Sequence, residues 1–150
     1  EMPDSPIIGG SDIPVGGTGS MSYRQDVFQE VGGFDESFPM AAGEDADLQK
    51  RIADRGYRLL FLPDKVAHLQ QYCLSQFVEE SIRRGRGLFH FNQKHGSDRS
   101  PLRIVAGAVG SPITGLRRLK ATKDLRIVFL TVCRNFLSRI GELSEWWKQK

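Results

Sequence analysis

The spacing of hydrophobic and polar positions predicts short, alternating elements over the first seventy residues. A short strand is predicted near residues 7–8, ahead of a loop rich in glycine, proline, serine and aspartate. Helices are predicted over residues 23–31, where two consecutive glycines stop the first, and over residues 44–55. Strand-like runs follow over residues 57–62 and 65–69. This part of the chain is therefore expected to alternate helices with short strands.

From residue 74 onward the hydrophobic spacing becomes helical. One stripe joins positions three or four apart along a predicted helix: Leu74, Phe77, Val78, Ser81, Ile82, Gly85, Leu88 and Phe89. Residues 96–98 break that helix. A second stripe lies in a long C-terminal helix and comprises Leu125, Val128, Phe129, Val132, Phe136, Ile140, Leu143 and Trp147. The rest of the chain is therefore expected to be largely helical.

Composition places the 150-residue chain among soluble globular proteins, with 39% hydrophobic and 26% charged residues. No uncharged apolar stretch approaches the roughly 20 residues that span a bilayer. The net charge of +3 conceals an asymmetry, since residues 1–47 carry ten acids and one base whereas residues 48–150 carry eight acids and twenty bases. Cys73 and Cys133 are isolated, which argues against a disulfide scaffold or zinc ribbon and favours a cytoplasmic location.

Glu44 and Asp45 form the most informative polar pair in the chain. Carboxylates in the first turn of a helix are stabilised in their ionised form, so they can act as general bases. Asp45 precedes Leu48 and Ile52 by three and seven residues, which places it on their inward-facing side. A charged group there needs a partner or a function. The alternative is an acid that only caps the helix.

Two other polar features also have structural interpretations. Asp47 and Arg51 are four residues apart and are expected to form a surface ion pair. His68 ends the second strand-like run. It is either a structural histidine or a metal ligand that would need carboxylates from elsewhere.

Several motifs follow one another in a fixed order: GGTGSMSYR over residues 16–24, VGGFDESF over 31–38, GEDADL over 43–48, GYRL over 56–59, and LPD over 62–64 with His68. In this order they resemble the C-terminal half of a family 2 glycosyltransferase domain with the GT-A fold. The resemblance covers residues 15–70, and more loosely extends to about residue 95. It implies an α/β, Rossmann-like half-domain in residues 1–98, followed by amphipathic helices in a basic tail, residues 99–150.

The resemblance also implies a reaction: an inverting transfer of sugar from a nucleotide-diphosphate donor to a hydroxyl of a saccharide or lipid-linked acceptor. Asp45 would be the general base, and Glu44 would position either the acceptor or Asp45. Gly17 and Gly19 would let the backbone approach the substrates closely. His68 would ligate a divalent metal, Mn²⁺ or Mg²⁺, on the donor diphosphate. Such enzymes serve polysaccharide biosynthesis in the cell envelope.

The nucleotide-binding units and the metal-binding DxD motif of that family have no match in the sequence. We therefore expect the chain to supply the acceptor side of a site, to be incomplete as an isolated enzyme, and to bind the metal only together with the missing half. The alternative is a non-catalytic remnant that associates with a membrane or a partner.

The basic second half has two candidate roles. Arg83, Arg84 and Arg86 can close over a diphosphate, or they can form a solvated helix face. Residues 99–150 carry eleven bases and three acids together with aromatic side chains. This tail is typical of peripheral binding to an anionic membrane, here its inner face, or else it packs on its own domain. Nucleic-acid binding is not expected, because no recognition module is present and the acidic half would repel phosphates.

Overall fold

The computed structural model describes residues 7–9, 20–62, 73–96, 100–110, 112–113 and 124–150. The chain divides into two compact units, which we call the first unit (residues 1–70) and the second unit (residues 71–150). The predicted boundary between residues 98 and 99 falls inside the second unit. The described elements are, in order, β1 (Ile7–Gly9), α1 (Gln25–Glu30), α2 (Glu44–Asp54), β2 (Leu59–Phe61), α3 (Leu74–Lys94), α4 (Pro101–Val109) and α5 (Leu125–Lys148).

In the first unit, α1 and α2 pack their apolar faces together. Val27 of α1 and Val31, which directly follows α1, meet Leu48 and Ile52 of α2 in a small buried cluster. The predicted end of the helix is confirmed, because the chain leaves α1 through Gly32 and Gly33, whose φ angles are 85° and 69°. Such left-handed angles favour glycine. The hydrophobic spacing in this unit therefore predicts the core that forms.

The strands are too few and too short for the predicted fold class. β1 and β2, of three residues each, pair antiparallel with Ile7 opposite Phe61 and Gly9 opposite Leu59. A Rossmann-like α/β domain needs parallel strands joined by crossover helices, and the described residues hold only this two-stranded sheet among five helices. The α/β prediction is therefore wrong. The strands predicted near residues 7–8 and over residues 57–62 do form, as β1 and β2, but they pair with each other. The predicted strand over residues 65–69 lies outside the described residues.

In the second unit, α3 and α5 approach each other closely through two glycines. A methyl group added at Gly85 of α3 would collide with the carbonyl of Ser138, and one added at Gly141 of α5 would collide with the carbonyl of Ile82. The two helix backbones are therefore in contact at these positions. α4 also packs on α5, with Gly107 beside the guanidinium of Arg139.

The buried face of α5 is not its hydrophobic stripe. The residues that α5 buries are small or polar: Thr131, Gly141, Glu142 and Glu145. The stripe predicted for this helix stays largely outside, with Phe129 67% exposed and Trp147 76% exposed. Packing against α3 thus uses one face of α5 and leaves the apolar face uncovered. None of the described helices combines the length and the apolar character that crossing a bilayer requires.

Candidate functional site

The predicted carboxylate pair opens α2 directly after a glycine in a left-handed conformation. Gly43 precedes the helix with a φ angle of 93°, and its carbonyl accepts the first helical hydrogen bond from the N–H of Asp47 at 2.9 Å. A left-handed residue at this point lets the chain turn sharply into the helix. Glu44 and Asp45 therefore occupy the first turn of α2, as the sequence predicted.

The Asp45 carboxylate is half-buried and has one engaged oxygen. Its Oδ1 accepts a hydrogen bond from the N–H of Ala46 at 2.7 Å. Among the described residues, Oδ2 accepts no hydrogen bond. The backbone contact therefore fixes the carboxylate while leaving one oxygen open. A carboxylate in this arrangement can accept a proton from a bound hydroxyl.

The neighbouring carboxylate of Glu44 contributes a second acceptor. Its Oε2 is buried and has no hydrogen-bond partner among the described residues. Burial of a carboxylate oxygen without a partner is costly, so this atom requires a donor that the described residues do not supply. Adjacent residues thus each carry an acidic oxygen that lacks a donor in this part of the chain.

Tyr23 joins this pair from the segment that precedes α1. Burial raises the pKa of its phenol, the Gln49 side chain partly offsets that rise, and the negative charge of Asp45 adds to it. The hydroxyl therefore stays protonated through neutral pH and can donate a hydrogen bond. Sequence reasoning assigned Tyr23 no role, although its position inside the GGTGSMSYR motif was the available signal.

Asp47 and Arg51 form the expected ion pair, but it is not on the surface. The Asp47 carboxylate is fully buried and accepts a hydrogen bond from Nε of Arg51 at 2.8 Å. The two terminal nitrogens of Arg51 donate to the carbonyls of Val31 and Gly33, each at 2.6 Å. The pair thus ties the first turns of α2 to the glycine turn after α1. The surface prediction is wrong because the turn carbonyls draw the guanidinium inward.

The other predicted site residues are not brought together by the described structure. Gly17, Gly19 and His68 lie outside the described residues. Arg83 and Arg84 are exposed on α3, and Arg83 is 3.8 Å from the carboxylate of the nearby Glu80. These five assignments stay predictions.

Arg86, the third predicted arginine, is engaged inside the second unit. Its Nε donates to Oε1 of Glu145 at 2.5 Å. His90 lies 3.2 Å from Oε2 of the same carboxylate, and Lys148 donates to Oε1 at 2.8 Å. Burial alone would raise the pKa of Glu145, but hydrogen bonds from Lys148, Arg86 and His90 outweigh it and lower the pKa to about 2. This cluster joins α3 to α5 by charge.

A metal centre does not arise from the described residues alone. Nowhere in that part of the chain do three His, Cys, Asp or Glu side chains gather closely enough to hold a metal ion. The candidate ligand His68 is outside it.

Comparison with known proteins adds an independent line of support. A family model described as the N-terminal domain of galactosyltransferase matches residues 13–73. The pre-mycofactocin glycosyltransferases of two Mycobacterium tuberculosis strains, CDC 1551 / Oshkosh and ATCC 25618 / H37Rv, are each 30% identical over 122 residues. The aligned region covers 77% of this chain and 26% of each relative, so the chain spans about a quarter of their length. No solved structure matches significantly. These matches confirm the predicted similarity to glycosyltransferases in general.

Proposed function

We propose, from this similarity to glycosyltransferases, that the chain supplies the acceptor side of a family 2 glycosyltransferase site, corresponding to the C-terminal half of its catalytic domain. The reaction would transfer a sugar with inversion from a nucleotide-diphosphate donor to a hydroxyl of a saccharide or lipid-linked acceptor. The observation that carries this proposal is the Asp45 carboxylate, oriented by the N–H of Ala46 and open at Oδ2. It lies inside the region matched by the galactosyltransferase family model.

In the proposed mechanism, Oδ2 of Asp45 accepts the proton of the acceptor hydroxyl. The acceptor oxygen attacks the anomeric carbon and forms the new glycosidic bond. The bond from that carbon to the diphosphate oxygen breaks on the opposite face, and the nucleotide diphosphate leaves with the electron pair. A base on the acceptor side is required because a neutral sugar hydroxyl is a weak nucleophile.

Glu44 and Tyr23 complete the proposed acceptor site as orienting groups. The buried Oε2 of Glu44 would accept a hydrogen bond from a second acceptor hydroxyl, which gives that oxygen a partner. The protonated Tyr23 hydroxyl would donate to an acceptor oxygen. One base, one further acceptor and one donor suit a polyhydroxylated substrate, because several directional contacts hold the reacting hydroxyl against Asp45.

The donor side of the reaction is assigned only by resemblance. We propose that Gly17 and Gly19 lie near the substrates, that Arg83 and Arg84 contact the diphosphate, and that His68 is the ligand this chain offers to Mn²⁺ or Mg²⁺. Arg86 is the weakest of the proposed diphosphate contacts, because Glu145 already holds it at 2.5 Å. The nucleotide-binding elements would come from outside these residues.

The test is an Asp45→Asn substitution in the native polypeptide that carries this sequence, assayed for sugar transfer from nucleotide-sugar donors. The amide keeps the shape of the side chain but cannot accept the proton. Turnover should therefore fall by about 10²–10⁴-fold, while donor binding, measured by calorimetry, stays near the wild-type value.

Asp54→Asn is the matched control for this experiment. Asp54 ends the same helix and forms an exposed ion pair with Lys50 at 2.8 Å, so its loss should leave turnover within about twofold of wild type. Near-normal turnover of the Asp45 variant would remove this residue from the mechanism. A wild-type protein inactive with every donor would favour the non-catalytic alternative.

A further inference from the structure

The two faces of α5 have opposite chemical character. The residues that it buries are small and polar, and Gly141 lies at one of the two glycine contacts with α3. The opposite face carries a continuous row of exposed large hydrophobic side chains. We call this row the apolar stripe: Leu125, Phe129, Phe136, Ile140 and Trp147. Consecutive positions in this row are four or seven residues apart, so they share one side of the helix.

The acids of α5 face inward, and this leaves the outer surface basic. Glu142 is fully buried and paired with Arg139, and Glu145 is buried against the guanidinium of Arg86 from α3. Arg126 and Lys150 are exposed beside the two ends of the apolar stripe. Lys150 also lies over the ring of Trp146, with its Nζ 4.6 Å from the centroid. The accessible part of this helix is thus apolar and cationic.

α4 shows the same combination within the same unit. Ile104 is fully buried, whereas Leu102, Val105 and Val109 are exposed. Arg103 is exposed next to Leu102 and adds a positive charge to this surface. Two helices of the second unit therefore each present uncovered hydrophobic side chains accompanied by arginine.

We propose that the apolar stripe of α5, together with the exposed face of α4, docks on the surface of an anionic lipid bilayer. Amphipathic helices with bulky apolar side chains and flanking cations insert their apolar face at the headgroup boundary. Anionic lipids attract the lysines and arginines around that face. Tryptophan at the helix end suits the same interface. A second copy of the chain fits less well, because residues 99–150 carry eleven bases against three acids and two such faces repel each other.

Co-sedimentation of the chain with lipid vesicles tests this proposal. Vesicles of phosphatidylcholine with about one quarter phosphatidylglycerol should bind the chain at about 0.05 M salt and release most of it at about 0.5 M. Vesicles of phosphatidylcholine alone should bind it weakly. The emission of Trp147, isolated by Trp146→Phe, should shift to the blue on binding, because the indole leaves water.

Two double variants separate the apolar and the electrostatic contributions. Phe129→Ser with Phe136→Ser should weaken vesicle binding at least about tenfold. Arg103→Glu with Arg126→Glu should weaken it by at least about fivefold for each charge, and only at low salt. All four side chains are partly or largely solvent-exposed, so both variants should keep the far-ultraviolet circular dichroism of wild type.

Matched controls come from the first unit. Leu62→Ser removes a hydrophobic side chain of a residue that is 52% exposed, and Arg58→Glu reverses an exposed charge. Neither should change vesicle binding by more than about twofold. Absence of binding to the anionic vesicles, or binding that both double variants retain, would overturn the proposal. So would a dimer in sedimentation equilibrium that the Phe129 and Phe136 variant dissociates, since a second copy would then cover the stripe.

Discussion

The two units of the molecule relate hydrophobic pattern to burial in opposite ways. In the first unit, the periodic apolar positions of α2 become the core, with Leu48 and Ile52 almost completely buried. In the second unit, the periodic apolar positions of α5 stay exposed, while Glu142 and Glu145 are buried. Both helices are amphipathic. The difference lies in which face the neighbouring helix covers.

This contrast teaches that periodicity identifies the faces of a helix but not the face that will be packed. On α5, Gly141 permits a backbone contact with α3 that no larger residue allows. The Glu145 carboxylate then adds bonds to Arg86 and His90 across the same interface. On the α5 side, close approach and ion pairing thus take the place of large buried apolar side chains.

The largest expected effect is a loss of unfolding free energy when an apolar side chain is removed from α2 rather than from α5. Leu48→Ala should lower the free energy of unfolding by about 4 kcal/mol, within the usual range for a fully buried leucine. Phe129→Ser on α5 should change it by less than about 0.5 kcal/mol, because that side chain is already in water. Urea denaturation monitored by circular dichroism gives both values. Equal losses would show that the stripe of α5 is packed after all.

The second largest expected effect is a loss of stability when a methyl group is added at the glycine contact between α3 and α5. Gly141→Ala should destabilise the second unit by about 3 kcal/mol, because the new methyl meets the carbonyl of Ile82, and backbone atoms cannot move aside cheaply. Gly110→Ala is the matched control. A methyl there would lie 3.4 Å from the carbonyl of Ala106, a tight but tolerable contact. Thermal unfolding should separate the two variants, and a stabilised Gly141 variant would exclude the close helix approach.

The smallest effect is electrostatic and depends on pH. Glu145 has a pKa of about 2 in the folded protein, below its ordinary 4.5, so its pairing stabilises the fold above pH 4.5 and is lost as the pH falls toward 2. Glu145→Gln should therefore cost on the order of 2 kcal/mol at pH 7, and the difference from wild type should shrink through that acidic range.

Glu80→Gln serves as the control for this pH series, because Glu80 and Arg83 are 3.8 Å apart on an exposed face. Its unfolding free energy should follow that of wild type at every pH. A Glu145 variant that is equally destabilised at pH 2 and pH 7 would show that packing, not charge, holds this side chain in place.

Helices bounded by local signals could be predicted from the sequence. Gly32 after α1 and Gly43 before α2 adopt left-handed φ angles of 85° and 93°. The end of α1 and the start of α2 therefore lie next to these glycines, where the sequence predicts them. Amphipathic helices are predicted in residues 99–150, but the bounds of α4 are not. The start of α4 is signalled by Pro101 in the first turn, whereas Gly107 and Gly110 interrupt the hydrophobic spacing.

Features that depend on partners distant in the chain could not be predicted. The pairing of β1 with β2 joins segments about fifty residues apart, and nothing in either run specifies an antiparallel partner. Similarly, the spacing of Asp47 and Arg51 gives an ion pair but not its burial, which depends on the carbonyls of Val31 and Gly33. At the candidate site, the helical spacing predicts a role for Asp45 but carries no signal for the burial of Tyr23, which depends on the fold.

The polar interface between α3 and α5 also shapes how this part of the molecule responds to temperature. Exposure of apolar surface raises the heat capacity on unfolding, whereas exposure of polar surface lowers it. Separation of α3 from α5 exposes groups such as Ser81, Thr131 and Glu142, which add little or negative heat capacity. The polar part of this interface therefore flattens the stability curve of the helix pair relative to that of a purely hydrophobic core.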